Sequence, residues 1–243
     1  MNTLVERTIG AHGGLNPWNE LESITVHLDG GGALWGLKGH PDMVEETNVT
    51  VGTRSQWASH HPFLADRART RFEPHSVALE RENGELVEEL KEPRASFAGH
   101  GLETPWSKLQ LAYFAGYAMW TYLNLPFLLA RPVVMSEEGA PWQENGEVWR
   151  PLKITYPDSI AGHTREQIAY YGQDGLLRRH AYTVDVLGGA SGLNYAYDYR
   201  NVNGIMVPTT RRVYPSDADT QKVPEPLLVA IDIREIAFIE ARR

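Results

Sequence analysis

Trp106-Ser107-Lys108-Leu109-Gln110-Leu111-Ala112-Tyr113-Phe114-Ala115-Gly116-Tyr117-Ala118-Met119-Trp120-Thr121-Tyr122-Leu123-Asn124 carries apolar side chains at helical spacing on two faces at once. Leu109, Tyr113, Tyr117 and Trp120 share one face, and Leu111, Phe114, Ala118 and Tyr122 share another. A helix apolar on both faces has to be enclosed, either by protein or by lipid. From Leu109 to Ala130 there is no charge, a length that can cross a bilayer. Gln110, Thr121, Asn124, three tyrosines and Pro126 interrupt it, so a membrane span is disfavoured and a helix buried inside a β-rich domain is expected.

The flanking chain supplies that domain. Asn83-Gly84, Asn145-Gly146, Asp174-Gly175 and Asn203-Gly204 are dipeptides suited to the positive φ angles of tight hairpin turns. Extended runs are predicted at 23–28, 32–38, 43–53, 54–59, 77–82 and 85–91 before the helix, with breaks at Gly30-Gly31 and Gly39-His40-Pro41. In 43–53 the alternation of Val44, Glu46, Asn48 and Thr50 against Glu45, Thr47, Val49 and Val51 is weak. After it come 147–156, 163–171, 176–186, 193–200, 205–214 and 227–239. A short helix over 2–11 ends at Gly13-Gly14, and Asn16-Pro17-Trp18 starts a second helical turn. Strands, one helical insertion at about 105–130 and more strands, joined by hairpin-length loops, predict a mainly β (α+β) architecture over residues 1–243 as a single domain. The expected form is a curved antiparallel sheet, a half-open barrel around a central helical plug. Pro224-Glu225-Pro226 fits a long hairpin loop before the last strand better than a domain linker.

Composition narrows function by exclusion. Thirty-one acidic against 23 basic side chains give a net charge of −8, which sets the chain against polyanions, so no nucleic-acid partner is expected. With no cysteine there is no disulfide, thiolate metal site or thiol nucleophile. Met1-Asn2-Thr3-Leu4-Val5-Glu6-Arg7 has no basic segment leading into an apolar one, so a secretory signal is not expected and the cytoplasm is the default location.

Two segments resemble the lipoprotein-carrier superfamily, the LolA/LolB-like half-barrels. One is Ala11-His12-Gly13-Gly14-Leu15-Asn16-Pro17-Trp18, followed by Leu21, Ser23 and Ile24. The other is Tyr199-Arg200-Asn201-Val202-Asn203-Gly204-Ile205-Met206-Val207-Pro208. The resemblance implies an unclosed barrel with an apolar concave face covered by helices, a shape that related proteins use to hold acyl chains. No signal peptide is expected and the sequence holds no lipobox cysteine, unlike the family's secreted lipoproteins, so the resemblance carries the fold further than the job.

Several residues could carry chemistry. Pro93 to Trp106 delivers Arg94, His100 and Glu103 just before the enclosed helix; an imidazole at the mouth of an apolar cavity could act as acid or base, with Tyr113 and Tyr117 orienting a substrate oxygen. The plainer reading is that Arg94 and His100 satisfy loop carbonyls. His60-His61-Pro62-Phe63 places adjacent histidines on opposite sides of an extended backbone, so the pair does not chelate one ion, and no metal is assigned. Of Arg178 and Arg179 only one can face inward, where its fork would suit a carboxylate. Gly30-Gly31-Gly32 lacks the residues of a phosphate loop, and Gly188-Gly189-Ala190-Ser191-Gly192 is no nucleophile elbow; both read as turns or loops at the barrel rim, and no cofactor is implied.

Three functions stay open. The first is binding of an apolar or amphipathic small molecule of acyl-chain, polyketide or terpenoid type, with Trp35, Trp57, Arg94, Phe97, Tyr113, Tyr117, Trp120 and Phe127 as the binding set. The second is a cofactor-independent isomerase, cyclase or lyase with His100, Glu103 and Tyr117 as its catalytic set. The third is a structural domain whose helix fills the barrel. Oligomeric state is not legible.

Overall fold

The computed structural model describes residues 3–43, 46–65 and 67–241. Val44 and Glu45, part of the weakly alternating run, and Asn2 of the first helix lie outside them.

The sheet is antiparallel throughout, and its strands number β1 (Leu21–Gly31), β2 (Thr47–Gly52), β3 (Ala58–His61), β4 (Arg69–Glu73), β5 (Ser76–Glu80), β6 (Leu86–Lys91), β7 (Met135–Glu138), β8 (Trp142–Glu144), β9 (Glu147–Thr155), β10 (Glu166–Tyr171), β11 (Leu177–Val184), β12 (Ala190–Val202), β13 (Ile205–Tyr214) and β14 (Val229–Glu240). Their spatial order is β6-β5-β4-β3-β2-β1-β14-β13-β12-β11-β10-β9-β7, with β8 paired to β9 off this path. β6 and β7 are the two free ends, so the sheet curves without closing, as expected from the hairpin pattern. Asn145-Gly146 (φ 51, 76) and Asn203-Gly204 (φ 49, 89) form two-residue turns with both central residues left-handed, the geometry that matches the twist of paired strands.

Four helices attach to this frame: α1 (Thr3–Ala11), α2 (Leu15–Asn19), α3 (Ala33–Leu37) and α4 (Lys108–Asn124). α4 begins at a reciprocal cap in which the Gln110 amide N–H donates to Ser107 Oγ (3.2 Å) and the Ser107 N–H donates to Gln110 Oε1 (2.9 Å). Every residue from Leu109 to Asn124 is buried, and α4 packs on β2 to β5. It comes closest at Gly116, where a Cβ would lie 2.5 Å from Phe72 Cγ. None of the described helices is long and apolar enough to cross a membrane.

α1 ends where expected, with the Gly14 N–H donating back to Ile9 O (2.8 Å) in the manner of a left-handed helix terminator. Gly13 then presses against the β12–β13 turn: a Cβ there would be 2.3 Å from Gly204 O, and the Met206 N–H donates to His12 O (3.1 Å). The two segments that resemble the half-barrel family therefore touch each other, although nearly the whole chain separates them.

Four local expectations need correction. Gly30 and Gly31 do not break the first strand; they pair with Ile231 and Ala230 on β14, and the chain turns at Gly32 (φ 113), against whose missing side chain Leu228 O packs. Residues 33–37 form α3, not a strand, because the turn at Gly32 carries them out of the sheet at the end of β1. Ala190 to Gly192 open β12 rather than a loop, since Ser191 and Gly192 pair with Thr183 and Tyr182. His163 lies before β10 and not on it.

Candidate functional site

α4 covers only part of the concave face. Between its Phe114–Ala115–Ala118–Met119 side and strands β1, β11, β13 and β14 lies a narrow cavity of about 80 Å³, walled by Leu28, Trp35, Val49, Val184, Val213 and Ile231 among others. Its outer end is formed by half-buried or exposed residues, Gly30, Met43, Leu102, Ala190 and Leu228, and its inner end by fully covered ones. Leu102 belongs to a loop held down by Lys38, whose buried ammonium donates to Gly101 O (3.0 Å), Leu102 O (2.5 Å) and Thr104 O (3.1 Å) and sits 4.7 Å from the Trp106 ring centre. Burial lowers the Lys38 pKa to about 8.

The wall is interrupted by six polar side chains, Thr47, His60, Tyr122, His163, Tyr182 and Ser191. Three of them form a hydrogen-bonded chain at the inner end: Tyr122 Oη lies 2.8 Å from His163 Nε2 and 2.6 Å from Tyr182 Oη, and the His163 and Tyr182 rings stack at 4.0 Å. Gly192 makes this possible, because it pairs with Tyr182 across the β11–β12 ladder and the phenol ring lies flat over it, 2.6 Å from where a Cβ would stand. Burial raises the Tyr122 and Tyr182 pKa values and, with help from His180 and Arg94, holds His163 well below the usual imidazole range, so all three are neutral at pH 7. The protons then have two arrangements. In one, Tyr182 donates to Tyr122 and Tyr122 donates to His163. In the other, His163 donates to Tyr122 and Tyr122 to Tyr182, which frees the Tyr182 proton to point into the cavity. A ligand oxygen selects the second.

His60 is a further polar group of the wall. Its ring is buried on the wall, its backbone N–H donates to Thr70 Oγ1 (2.8 Å), and its Nδ1 is 3.4 Å from the same oxygen. Burial lowers its pKa to about 4, which leaves a neutral imidazole at pH 7.

Of the residues expected from sequence, Trp35 lines this cavity, its Nε1 tied to Gly31 O (3.0 Å). The others lie elsewhere. Arg94 and Tyr113 meet at a separate polar pocket with Asp185, where Arg94 also donates to Gly162 O (2.9 Å). Phe97 packs edge-on against His100, Trp106 and the Tyr113 side of α4. Trp57 covers Gly52, Trp120 donates from Nε1 to Gly52 O (2.8 Å), and Phe127 stacks on Trp18 at 3.9 Å. Tyr117 is wholly buried beside His163 with its hydroxyl unpartnered. His100 is half-buried with Nδ1 unpartnered, Glu103 is exposed, and neither borders the cavity. The structure does not bring His100, Glu103 and Tyr117 together.

Neither Arg178 nor Arg179 faces the cavity. Arg178 pairs with Asp174 (2.9 Å) and Glu147 (3.2 Å) at the hairpin end. Arg179 is buried on the other face of the sheet, bonded to Glu144 (2.6 Å) between the rings of Trp142 and Tyr170. The inward arginine is Arg211 on β13. Sequence did hold a signal for it: Ile205, Val207, Thr209, Arg211 and Val213 form the inward phase of the strand, so a cation stands in an apolar register. Among the described residues, no cluster of three or more His, Asp or Glu could hold a metal ion.

The whole-chain architecture has counterparts. A LolA superfamily protein from Nitrosomonas europaea superposes over 99% of this chain and 94% of its own, with a TM-score of 0.55 at 9% identity. The fold is LolA-like. An outer membrane lipoprotein-sorting protein domain from Vibrio parahaemolyticus (97% of this chain, 90% of its own) and a DUF1329 family protein from Desulfovibrio piger (97% and 91%) match the same LolA-like frame, each with a TM-score of 0.54 at 9% identity. No protein-family model and no curated protein matches the sequence. At this identity the likeness describes the LolA-like backbone and leaves the chemistry to the side chains inside it.

Proposed function

We propose that this protein binds an apolar or amphipathic small molecule, of acyl-chain, polyketide or terpenoid type, in the cavity beside α4. The observation that carries the reading is a mainly apolar wall that runs from a partly open end to the buried Tyr122–His163–Tyr182 chain. Apolar surface supplies affinity there, and the hydroxyl pair fixes the polar end of the ligand. LolA-like architecture supports the reading by analogy, since one of the matched structures is described as a lipoprotein-sorting domain.

Ala118→Trp tests it. Ala118 lines the cavity from α4, and an indole there fills the space without adding charge. The variant is expected to lose uptake of a fluorescent long-chain probe by about ten-fold or more while keeping its far-UV circular dichroism. Unchanged uptake, or no uptake by the unmodified protein, rejects the cavity as the binding site.

A second reading rests on His60. A neutral imidazole and a hydroxyl donor chain lining the same cavity are the parts of an acid–base site that moves a proton next to a carbonyl. That reading takes over the cofactor-independent isomerase or lyase chemistry with His60 and Tyr182, not His100, in the acting roles. Release of the bound molecule in an altered form after incubation, abolished by His60→Gln, favours it over simple binding.

A further inference from the structure

Arg211 is 2% exposed, on the inner face of β13, paired across the ladders with Ala196 of β12 and Ile231 of β14. A buried guanidinium ordinarily meets a carboxylate, because an uncompensated charge in the interior is costly. This one does not. Nη2 donates to the Tyr122 backbone oxygen (2.9 Å), Nη1 lies 3.4 Å from Asn194 Oδ1, and the cation stands 5.0 Å from the Tyr122 ring centre. Tyrosines 122, 171, 182 and 199 surround it, with neutral His12 and His180, and no described carboxylate lies within ion-pair distance. Asp174, whose charge reaches His12, is paired with Arg178.

The neighbours of Arg211 are polar and uncharged. Asn194 pairs directly with His180 across the β11–β12 ladder and with Val213, a cavity residue, across the β12–β13 ladder. Its Nδ2 has no partner although the residue is fully buried, and both ring nitrogens of fully buried His180 are likewise unpartnered. Asn194 stands beside the Tyr122 and Tyr182 hydroxyls. Just behind the inner end of the cavity there is thus a cation, an amide and a neutral imidazole, with a hydroxyl pair in front of them and no carboxylate acting on the cation.

We infer that the cavity takes an apolar monocarboxylate, carboxylate end inward, with an oxygen accepting from Tyr182, whose hydroxyl is freed by the His163-to-Tyr122-to-Tyr182 proton order, and with Arg211, acting through Asn194, supplying the compensating charge. This rests on the proposed binding function and narrows it to one ligand class. Arg211 is a positioning residue in this scheme: it does not touch the ligand, and it makes a carboxylate the better end group than an ester or an alcohol. The apolar walls serve all three alike, so the discrimination lies wholly in the head group.

The test compares a fluorescent long-chain polyene fatty acid with its methyl ester and its alcohol, bound to the full chain at pH 8. The acid is expected to bind about ten-fold or more tightly than the ester. Asn194→Asp, nearly isosteric, places a carboxylate against Arg211 and should reduce the acid's advantage to about three-fold or less while the ester binds as before. Arg211→Met, which replaces the buried cation with an apolar group of similar length, should do the same. Equal binding of acid and ester by the unmodified protein overturns the inference and leaves the cavity reading standing. An acid preference that survives both substitutions overturns the role of Arg211. Binding of none of the three overturns both the inference and the reading beneath it.

Discussion

Tyr182 owes its place to a missing side chain. Gly192 sits opposite it on β12, and any Cβ there would fall 2.6 Å from the phenol ring. Gly192→Ala is expected to push the ring off the strand, lengthen the 2.6 Å bond to Tyr122 and cost about 1–3 kcal/mol by overpacking, read as a lowered denaturation midpoint in urea. The same glycine shows how far the site was legible from sequence. Gly188 to Gly192 has loop composition, and nothing local says that its last three residues enter a ladder beneath an aromatic ring. His163, Tyr122 and Tyr182 come from a loop, a helix and a strand, so their hydrogen bonds exist only after the sheet has curved. Arg211 is different, because its apolar register was visible in the strand pattern. His100 drew attention through its position before the helix, yet the loop that carries it is folded so that Leu102 borders the cavity and His100 does not.

Among the elements, the hairpins were the most readable, since Asn-Gly needs only local sterics to turn. β3 and β4 were the least: they are four and five residues long and pair at Ala58 with Phe72, so their alternation is too short to stand out. α3 stands where the sequence predicts an extended run because Gly32 redirects the backbone through a φ that sequence does not announce. Trp106 is tied to the end of α3 through the Lys38 carbonyl (3.1 Å) and through His40 Nε2 (2.8 Å), while the loop carbonyls before it are held by the Lys38 ammonium. Lys38→Met leaves the carbonyls of Gly101, Leu102 and Thr104 without their donor, so backbone amides over 99–106 are expected to exchange about ten-fold faster with deuterium while the protection of β12 and β13 stays unchanged. Equal exchange in both proteins would show that the loop holds itself down.

For the molecule as a whole, the interior carries several imidazoles that fold in their neutral form. Burial lowers His12 to about 4, His60 to about 4 and His180 to about 3, the last with Arg211 adding to the effect. The unfolded chain protonates each near pH 6.5 and the folded chain only below those values, so the unfolded state binds more protons between them. Stability is therefore expected to be level between about pH 7 and 8 and to fall steadily from about pH 6.5 toward 4, by on the order of a few kcal/mol for each buried ring. Urea midpoints measured at pH 7.5, 6 and 5 check the sign. A midpoint that rises on acidification would mean that these rings gain an acid partner on folding.

β1 is hydrogen-bonded on one side to β2 and on the other, from Leu21↔Glu240 to Gly31↔Ala230, to β14. Its second partner is therefore the last strand to be made. At roughly 5–20 residues per second, a ribosome needs on the order of 10–40 seconds to travel from one to the other. During that interval β1 offers an open row of amides and carbonyls, with Ile24, Val26 and Leu28 uncovered beside it. The concave face assembles only when β14 arrives to join the two arms of the sheet. Until then the nascent chain is a half-built container whose greasy inside is an outside, and its yield in the cell depends on what shields that seam while translation finishes.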